Sequence, residues 1–211
     1  MLFRSMVDDS NEVWLIDDAP AKLPGRPRCP VTHQSILDAA NNLLEQIGFA
    51  AMSIEGIAAK AGVGKATIYR RWPNKASVVM DAFLAATARE IPFPNTSSPR
   101  EDMRRQMRSV VKMLNSPRGR IIVTLIGAGQ SDAELADAFR TRFVAIRRAE
   151  AKQVLQRAID SGELSRTTDL EFALDSLYGP LYYRRLLGHE KITAKYADEL
   201  ADLVFQSHAN K

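Results

Sequence analysis

The chain has 211 residues, of which 45% are hydrophobic and 26% are charged, a composition ordinary for a globular protein with a buried core. A single cysteine, Cys29, excludes an intramolecular disulfide framework, and no apolar run approaches the ~20 residues that a membrane-spanning helix needs. The first 21 residues carry acidic groups where a signal peptide would carry basic ones, so we expect a cytoplasmic protein that does not associate with membranes.

Apolar residues recur at helical spacing along most of the chain, and glycine and proline stand at the boundaries, which predicts an all-α fold. Residues 1–24 lack a sustained period, and we expect a disordered tail there. Residues 25–91 should form a small helical domain and residues 92–211 a helical body. Residues 22–75 hold eight basic and three acidic groups. Positive charge concentrated in this way favours DNA binding, although a basic surface also serves solubility alone.

The first helix is predicted to run from Thr32, a plausible N-cap, to about Gln46, and to end at Gly48. Its expected buried stripe consists of Ile36, Ala40, Leu43, Leu44 and Ile47. We expect His33 to be a solvated first-turn histidine, because no second metal ligand lies three or four residues further on.

Two short helices joined by a glycine turn are predicted between Ser53 and Pro73. Ser53 is a good N-cap, and the apolar face of the helix that follows it consists of Ile54, Ile57, Ala58 and Ala61. Gly62 suits the positive φ of a sharp turn. On the second helix Ile68 and Trp72, four residues apart, should face the core. This arrangement is typical of a helix-turn-helix, in which the second helix is the recognition helix.

The segment AGVGKATIYRRWPNK, residues 61–75, resembles the signature of the TetR family of bacterial transcriptional regulators. The resemblance extends over about residues 32–90. It implies an N-terminal three-helix DNA-binding domain with a connecting helix, and a C-terminal helical bundle for ligand binding and dimerisation. It also implies a homodimer that represses transcription from a palindromic operator in double-stranded DNA until an unknown small-molecule effector releases it.

The resemblance further implies roles for residues of the recognition region. Positions from which family members reach base edges are occupied by Lys65, Thr67 and Arg71. Positions that usually contact phosphate are occupied by Ser53, Tyr69, Arg70 and Lys75. Ala66 should let the helix lie close to the DNA. For Tyr69 a packed aromatic ring is the alternative.

Arg26 and Arg28 stand just ahead of the first helix, in the segment LPGRPRCP. One interpretation is an arm that enters the minor groove beside the recognition helix, as homeodomain arms do. The other is a plain basic linker, and the sequence favours neither.

A connecting helix is predicted over residues 75–90, and Pro92, Pro94 and Pro99 mark a domain boundary near residue 92. The body should contain at least five helical segments: residues 99–114, 117–130, 132–161 as one helix, 169–187 with a kink at Pro180, and 193–208. Apolar stripes along them include Leu135, Phe139, Phe143 and Ile146 in the third, and Tyr196, Leu200, Leu203 and Val204 in the last. The last two helices would pair with those of a second copy, the alternative being internal packing alone.

Side chains suited to line an effector pocket in the body are Met103, Met107, Leu125, Phe143, Tyr178 and Tyr182. The alternative for each is plain core packing. We expect no enzyme, cofactor or metal site, because Cys29 and the three histidines form no set of nucleophile, base and orienting group. A DNA-binding protein of the same fold without an effector pocket, acting through a protein partner or as an architectural factor, is the second interpretation.

Overall fold

The computed structural model describes residues 30–87 and 93–207, and all regular structure in this part of the chain is helical. The predicted tail and the arginines Arg26 and Arg28 lie outside the described residues. The helices of the head are α1 Pro30–Ala51, α2 Ile54–Ala61, α3 Lys65–Tyr69 and α4 Lys75–Thr87. Those of the body are α5 Pro99–Leu114, α6 Pro117–Gly129, α7 Ala133–Phe139, a π turn Arg140–Val144, α8 Ala145–Asp160, α9 Leu170–Leu187 and α10 Ala194–Ser207.

Helix α1 begins earlier in the chain than predicted. It begins at Pro30, so Thr32 lies inside the helix and is not its N-cap; a proline fits the first turn, where its missing N–H is not needed. Gly48 interrupts the helix with a φ of 73°, as the sequence indicates. Ile47, just before this break, is 51% exposed and does not belong to the buried stripe. Phe49, after the turn, is buried instead.

Helices α2 and α3 form the predicted helix-turn-helix. The Ser53 hydroxyl accepts a hydrogen bond from the Gly56 N–H at 3.0 Å and caps α2. Gly62 ends α2 with a φ of 66°, a conformation that favours glycine. Ile68 and Trp72 are both buried, as their spacing predicts, and they anchor the recognition helix to the core of the head.

The connecting helix α4 joins the head to the body through an aromatic cluster. It packs against α1 on one side and α7 on the other. Phe83 of α4 lies edge-on to Phe143 of the π turn, with ring centroids 5.1 Å apart, and Phe139 lies 5.3 Å from Phe143. The head and the body therefore share one continuous hydrophobic core.

In the body, α5 is the central helix and packs against α6, α8, α9 and α10. Asp102 of α5 is fully buried. It accepts hydrogen bonds from the Thr96 backbone N–H at 2.8 Å and hydroxyl at 2.7 Å, and from Arg157 of α8 at 2.7 Å. Burial alone would raise the pKa of this carboxyl, but the hydrogen bonds from Arg157 and Thr96 outweigh it and hold the pKa below its usual range.

The arginine-rich face of α5 is paired with acidic side chains of α10. Arg108 makes a two-pronged contact with Asp198 of α10, at 2.7 and 3.0 Å. Arg104 and Arg100 both bind Asp202, one turn further along α10. Glu101 pairs with Arg105 within α5 at 3.0 Å, as the i, i+4 spacing predicts.

The segment predicted as one helix over residues 132–161 contains a π turn, and this changes the direction of one predicted core residue. Phe139 and Phe143 are buried as expected, but Ile146 is 53% exposed. A π turn has more residues per turn than an α-helix, so the residue four positions after Phe143 lies on the same face of the helix and the residue three positions after it does not. Arg147 therefore lies on the face of Phe143, and Ile146 points away from it.

The two C-terminal helices, α9 and α10, follow the predicted spans. Helix α9 continues as one helix past Pro180 to Leu187. Within the predicted apolar stripe of α10, Leu200 and Val204 are buried in the chain, whereas Leu203 is 61% exposed. None of the helices described is both apolar and long enough to span a lipid bilayer.

Candidate nucleic-acid interface and body cavity

The outer surface of α3 carries most of the residues predicted to contact DNA. Exposed side chains there are Lys65, Ala66, Tyr69, Arg70 and Arg71, and Thr67 is half-buried. Tyr69 is 52% exposed, so it is not the packed aromatic ring that was the alternative. The buried Ile68 and Trp72 hold the opposite side of the helix and thereby fix the direction in which this surface faces.

Lys65 is held by an acidic neighbour on α2. Its ammonium lies 3.0 Å from the carboxylate of Glu55, and both side chains are more than half exposed. The hydrogen bond to Glu55 raises the pKa of Lys65 above its usual value. Glu55 thus holds the Lys65 side chain at the surface of the head. It would also compete with DNA for the Lys65 ammonium.

Ser53 lies at the N-terminus of α2, where the structure gives it a capping role. Its hydroxyl oxygen accepts from Gly56, which leaves the hydroxyl hydrogen for an anion at the helix start. The side chain is exposed.

Lys75 makes contacts that the sequence did not predict. Its ammonium donates to the carbonyl oxygens of Phe49, at 2.9 Å, and Met52, at 3.1 Å, and lies 4.1 Å from the centroid of the Phe49 ring. Lysine is well suited to this position, because carbonyl oxygens near a helix end can accept from a side chain; the Phe49 oxygen also accepts from the Met52 N–H at 3.3 Å. In this structure Lys75 therefore links α4 to the end of α1, and its phosphate contact stays a prediction.

A chain of polar contacts connects the recognition helix to the body. The Trp72 indole N–H donates to one carboxylate oxygen of Asp81 on α4, at 2.6 Å. Arg142 of the π turn binds the other oxygen of the same carboxylate. Trp72 also stacks on His33 of α1, with ring centroids 5.2 Å apart, so His33 is not the solvated residue that the sequence suggested.

A cavity of about 300 Å³ lies in the body between α5, α6, the π turn, α8 and α9. Its lining includes three residues predicted from the sequence: Phe143, Tyr178 and Tyr182. The other three, Met103, Met107 and Leu125, are buried in the surrounding core and do not line it, which corrects the prediction. Neighbouring positions on the same helices take their place: Gln106, Val110, Met113 and Ile126.

Two of the polar side chains in the cavity wall are hydrogen-bonded to each other. The Tyr178 hydroxyl donates to the Gln106 side-chain carbonyl at 2.6 Å, and Gln106 is only 2% exposed. Burial raises the pKa of Tyr178 above its usual range and that of Tyr182 to about 12, so both phenols are neutral at physiological pH. The sequence offered one signal for Gln106, an uncharged polar residue between Met103 and Met107 on the inward face of α5.

The charged groups of the cavity wall are compensated by neighbours. Arg148 donates to Asp175 at 2.6 Å and also binds Glu171. Arg147 donates to Glu150 at 2.6 Å. The hydrogen bonds from Lys152 and Arg148 lower the pKa of Glu171, so that carboxylate is ionised at neutral pH.

The last two helices present apolar side chains to solvent. Large exposed hydrophobic residues there are Phe172, Tyr183, Leu186 and Leu187 on α9 and Leu203 on α10. Those on α9 recur at intervals close to whole helical turns, which places them along one side of the helix.

Two family models match the chain. Residues 36–81 match the model described as bacterial regulatory proteins, tetR family, and residues 93–204 match a tetracyclin repressor-like C-terminal domain. The HTH-type transcriptional regulator YdeS of Bacillus subtilis is 42% identical over 182 residues, which cover 86% of this chain and 92% of that protein. The DNA-binding transcriptional repressor TetR of Mycobacteroides abscessus is 29% identical over 157 residues, covering 73% of this chain and 82% of that one.

A solved structure is similar over nearly the same span. The crystal structure of the TetR family transcription regulator SCO0332 superposes with a TM-score of 0.72 at 32% sequence identity. The match covers 85% of this chain and 99% of that one. The similarity therefore extends over both the head and the body of this chain.

Proposed function

We infer that this chain, which belongs to the TetR family of bacterial transcriptional regulators, represses transcription as a homodimer and leaves its DNA site when a small molecule enters the body cavity. The observation that carries the proposal is the exposed surface of α3, anchored from behind by Ile68 and Trp72. The repressor role is supported by the relative from Mycobacteroides abscessus, whose name describes it as a DNA-binding transcriptional repressor.

Contacts with the edges of the DNA bases are assigned to three residues of the recognition region. Lys65 and Arg71 would donate to the O6 and N7 atoms of guanine, and the Thr67 methyl group would pack on a thymine methyl. Lys65 reaches the DNA by exchanging Glu55 for a base or phosphate, since the pair is exposed and weakly bound.

A second set of residues is assigned contacts with the DNA phosphates, which would position the head on the duplex. Tyr69 and Arg70 are exposed beside the base-reading side chains, and Ser53 lies at the start of α2, where backbone N–H groups favour a phosphate. Lys75 is left out of this set because its ammonium is engaged by Phe49 and Met52.

A second copy of the chain is expected to cover the apolar side chains of α9 and α10. Burying Phe172, Leu187 and Leu203 would remove apolar surface from water that a monomer leaves exposed. The same pairing brings two heads together, which a helix-turn-helix reader needs in order to meet successive major grooves ~34 Å apart.

The release step is assigned to the π turn. Phe143 lines the cavity, while Arg142, the preceding residue, binds Asp81 of α4. Asp81 in turn accepts from Trp72 at the end of the recognition region. A ligand that displaces the π turn would therefore move α4 and the recognition helix together, and the spacing of the two heads would change.

Selection of binding sites from random duplexes tests the proposal. The wild type should enrich a two-fold symmetric sequence, and Thr67→Ala should relax the preference at one base pair in each half-site by roughly 1 kcal/mol or more. Thr167→Ala, in the exposed α8–α9 loop, is the control and should select the same sequence as wild type. Failure to enrich any sequence, or an unaltered preference in Thr67→Ala, would contradict the assignment.

A further inference from the structure

We propose that the body cavity takes an uncharged, largely aromatic molecule that presents a carbonyl-type hydrogen-bond acceptor to the side-chain amide of Gln106. This inference rests on the proposed function, because it treats the cavity as the effector site and names the chemistry of its occupant.

Gln106 supplies the hydrogen-bond donor. Its side chain is 2% exposed and lines the cavity, and its carbonyl oxygen is already held by the Tyr178 hydroxyl at 2.6 Å. Within the part of the chain that the structure describes, no group accepts a hydrogen bond from its amide nitrogen. The nitrogen is not among the enclosed polar atoms that lack a partner, so it keeps surface open to the cavity, where a ligand acceptor can take the place of water.

The bound molecule should be uncharged because the wall offers no uncompensated charge. Arg148 is neutralised by Asp175 and Glu171, and Arg147 by Glu150. An anion would have to separate these ion pairs, and a cation would meet two guanidinium groups. Either ion would lose its hydration shell without gaining a free counter-charge.

The bound molecule should be aromatic because four aromatic side chains line the cavity. These are Phe139, Phe143, Tyr178 and Tyr182. Phe83, Phe143 and Phe139 already contact one another at centroid distances of 5.1 to 6.2 Å, in tilted and edge-on geometries. A ligand ring inserted beside Phe139 and Phe143 would extend this cluster with the geometry that aromatic rings prefer.

The size of the cavity limits the ligand to a small molecule. A volume of about 300 Å³ lies at the lower end of the range for small-molecule sites in proteins. One or two fused rings with a short substituent fill such a space, whereas a long acyl chain does not.

Three probes with the same naphthalene skeleton separate these requirements. 2-Acetylnaphthalene is uncharged and carries a carbonyl acceptor, 2-ethylnaphthalene has nearly the same shape without the acceptor, and 2-naphthoate carries a charge. Isothermal titration calorimetry at neutral pH with the full chain should give tightest binding for the ketone, roughly fivefold to tenfold tighter than for the ethyl compound. The carboxylate should bind most weakly.

Substitution of Gln106 shows whether the ketone uses this residue. Gln106→Leu should bind 2-acetylnaphthalene no more tightly than 2-ethylnaphthalene. It should still bind 2-ethylnaphthalene, which would show that the variant keeps its cavity. Gln153→Leu, on the exposed side of α8, should leave the order unchanged. Tightest binding of 2-naphthoate, a ketone advantage that survives Gln106→Leu, or no binding of any probe would overturn the proposed ligand class.

Binding to the selected duplex, measured beside these titrations, keeps this inference separate from the proposed function. Duplex binding by a protein that takes none of the three probes would overturn the ligand class and leave DNA reading intact. Weaker duplex binding in the presence of 2-acetylnaphthalene supports both. A protein that binds the ketone but selects no duplex would contradict the proposed function alone.

Discussion

Lys65 on the recognition helix has two competing partners, the carboxylate of Glu55 and the DNA that the head would meet. The pair is exposed to solvent and screened by salt, so it is weak and readily exchanged. Glu55 also places a negative charge beside the α2 N-terminus, where a phosphate is expected. We therefore expect the Glu55 carboxylate to lower the affinity of the head for DNA.

Removing that carboxylate charge should strengthen DNA binding. We predict that Glu55→Gln tightens binding to the selected duplex by roughly twofold to fivefold at low salt, and that the gain shrinks as salt screens the charges. Fluorescence anisotropy at two salt concentrations measures both effects. Glu134→Gln, at an exposed position on α7, is the charge-matched control. Equal or weaker binding by Glu55→Gln would show that Lys65 needs Glu55 to hold it in place.

Lys75 has a structural role, and its replacement should reveal this. Lys75→Met keeps the aliphatic stem but removes the ammonium that donates to the carbonyls of Phe49 and Met52, so we expect a loss of about 1–2 kcal/mol in the free energy of unfolding. Urea denaturation measures the loss, with the exposed Lys112→Met of α5 as control. Unchanged stability together with a reduced salt dependence of DNA binding would instead restore a phosphate contact.

Which individual residues were predictable depends on how far apart their partners are in sequence. Ile68 and Trp72 were found because their contacts follow from spacing along one short helix. The partners of Lys75 are 26 and 23 positions away, so no local pattern indicates them. On α5 the prediction named Met107, but Val110, three positions on, lines the cavity; on α6 it named Leu125, but Ile126 lines it. The way the helices cross decides which apolar residue faces the cavity, and the sequence does not show this crossing.

Among the elements, the π turn is one part of the body that contacts both the cavity and the head. Its Phe143 lines the cavity, and its Arg142 binds Asp81 of α4. A π turn has a different number of residues per turn from an α-helix, and such turns are frequent at functional sites. An apolar repeat does not mark the extra residue, which is why the sequence placed Ile146 in the core.

The Arg142–Asp81 contact should influence DNA binding although neither residue is assigned a contact with DNA. We predict that Arg142→Ala weakens binding to the selected duplex by about fivefold or more, and that Asp81→Asn does the same. The double variant should be little worse than either single one, because both remove the same contact. Anisotropy titrations give all three values.

A neighbouring arginine of the same turn provides the control for this prediction. Arg140 binds Asp137 on its own helical segment and does not reach α4 in this structure. Arg140→Ala should therefore bind the duplex as the wild type does. If Arg140→Ala and Arg142→Ala weakened binding equally, the effect would reflect lost positive charge and not coupling through Asp81.

For the assembly of two chains, we expect the exposed apolar side of α9 and α10 to form the interface of the proposed dimer. We predict that Leu187→Asp, which places a charge on this surface, raises the dimer dissociation constant by about 100-fold or more. Sedimentation equilibrium measures the change. Ile146→Asp introduces the same charge at a similarly exposed residue of α8 and should remain dimeric. A monomeric Ile146→Asp with a dimeric Leu187→Asp would place the interface on α8 instead.

The overall architecture was predictable, because helical periods, glycine turns and the recognition-helix motif all agree along the chain. What the periods do not show is which apolar stripe packs within one chain and which faces another. Leu203 illustrates this: it follows the stripe of α10 that includes Leu200 and Val204, yet it is exposed in a single chain. Surfaces between copies and surfaces within a copy have the same apolar pattern in sequence.

Spacing of the half-sites is the most direct test of a dimer that reads DNA with two fixed heads. The measurement is the affinity for the selected duplex and for the same duplex with five base pairs inserted between its half-sites, about half a helical turn. If the two heads are joined through the body, the insertion should lower affinity about 100-fold or more, with two chains bound per intact site. Equal affinity for the two duplexes would mean that each head binds on its own and would contradict the account.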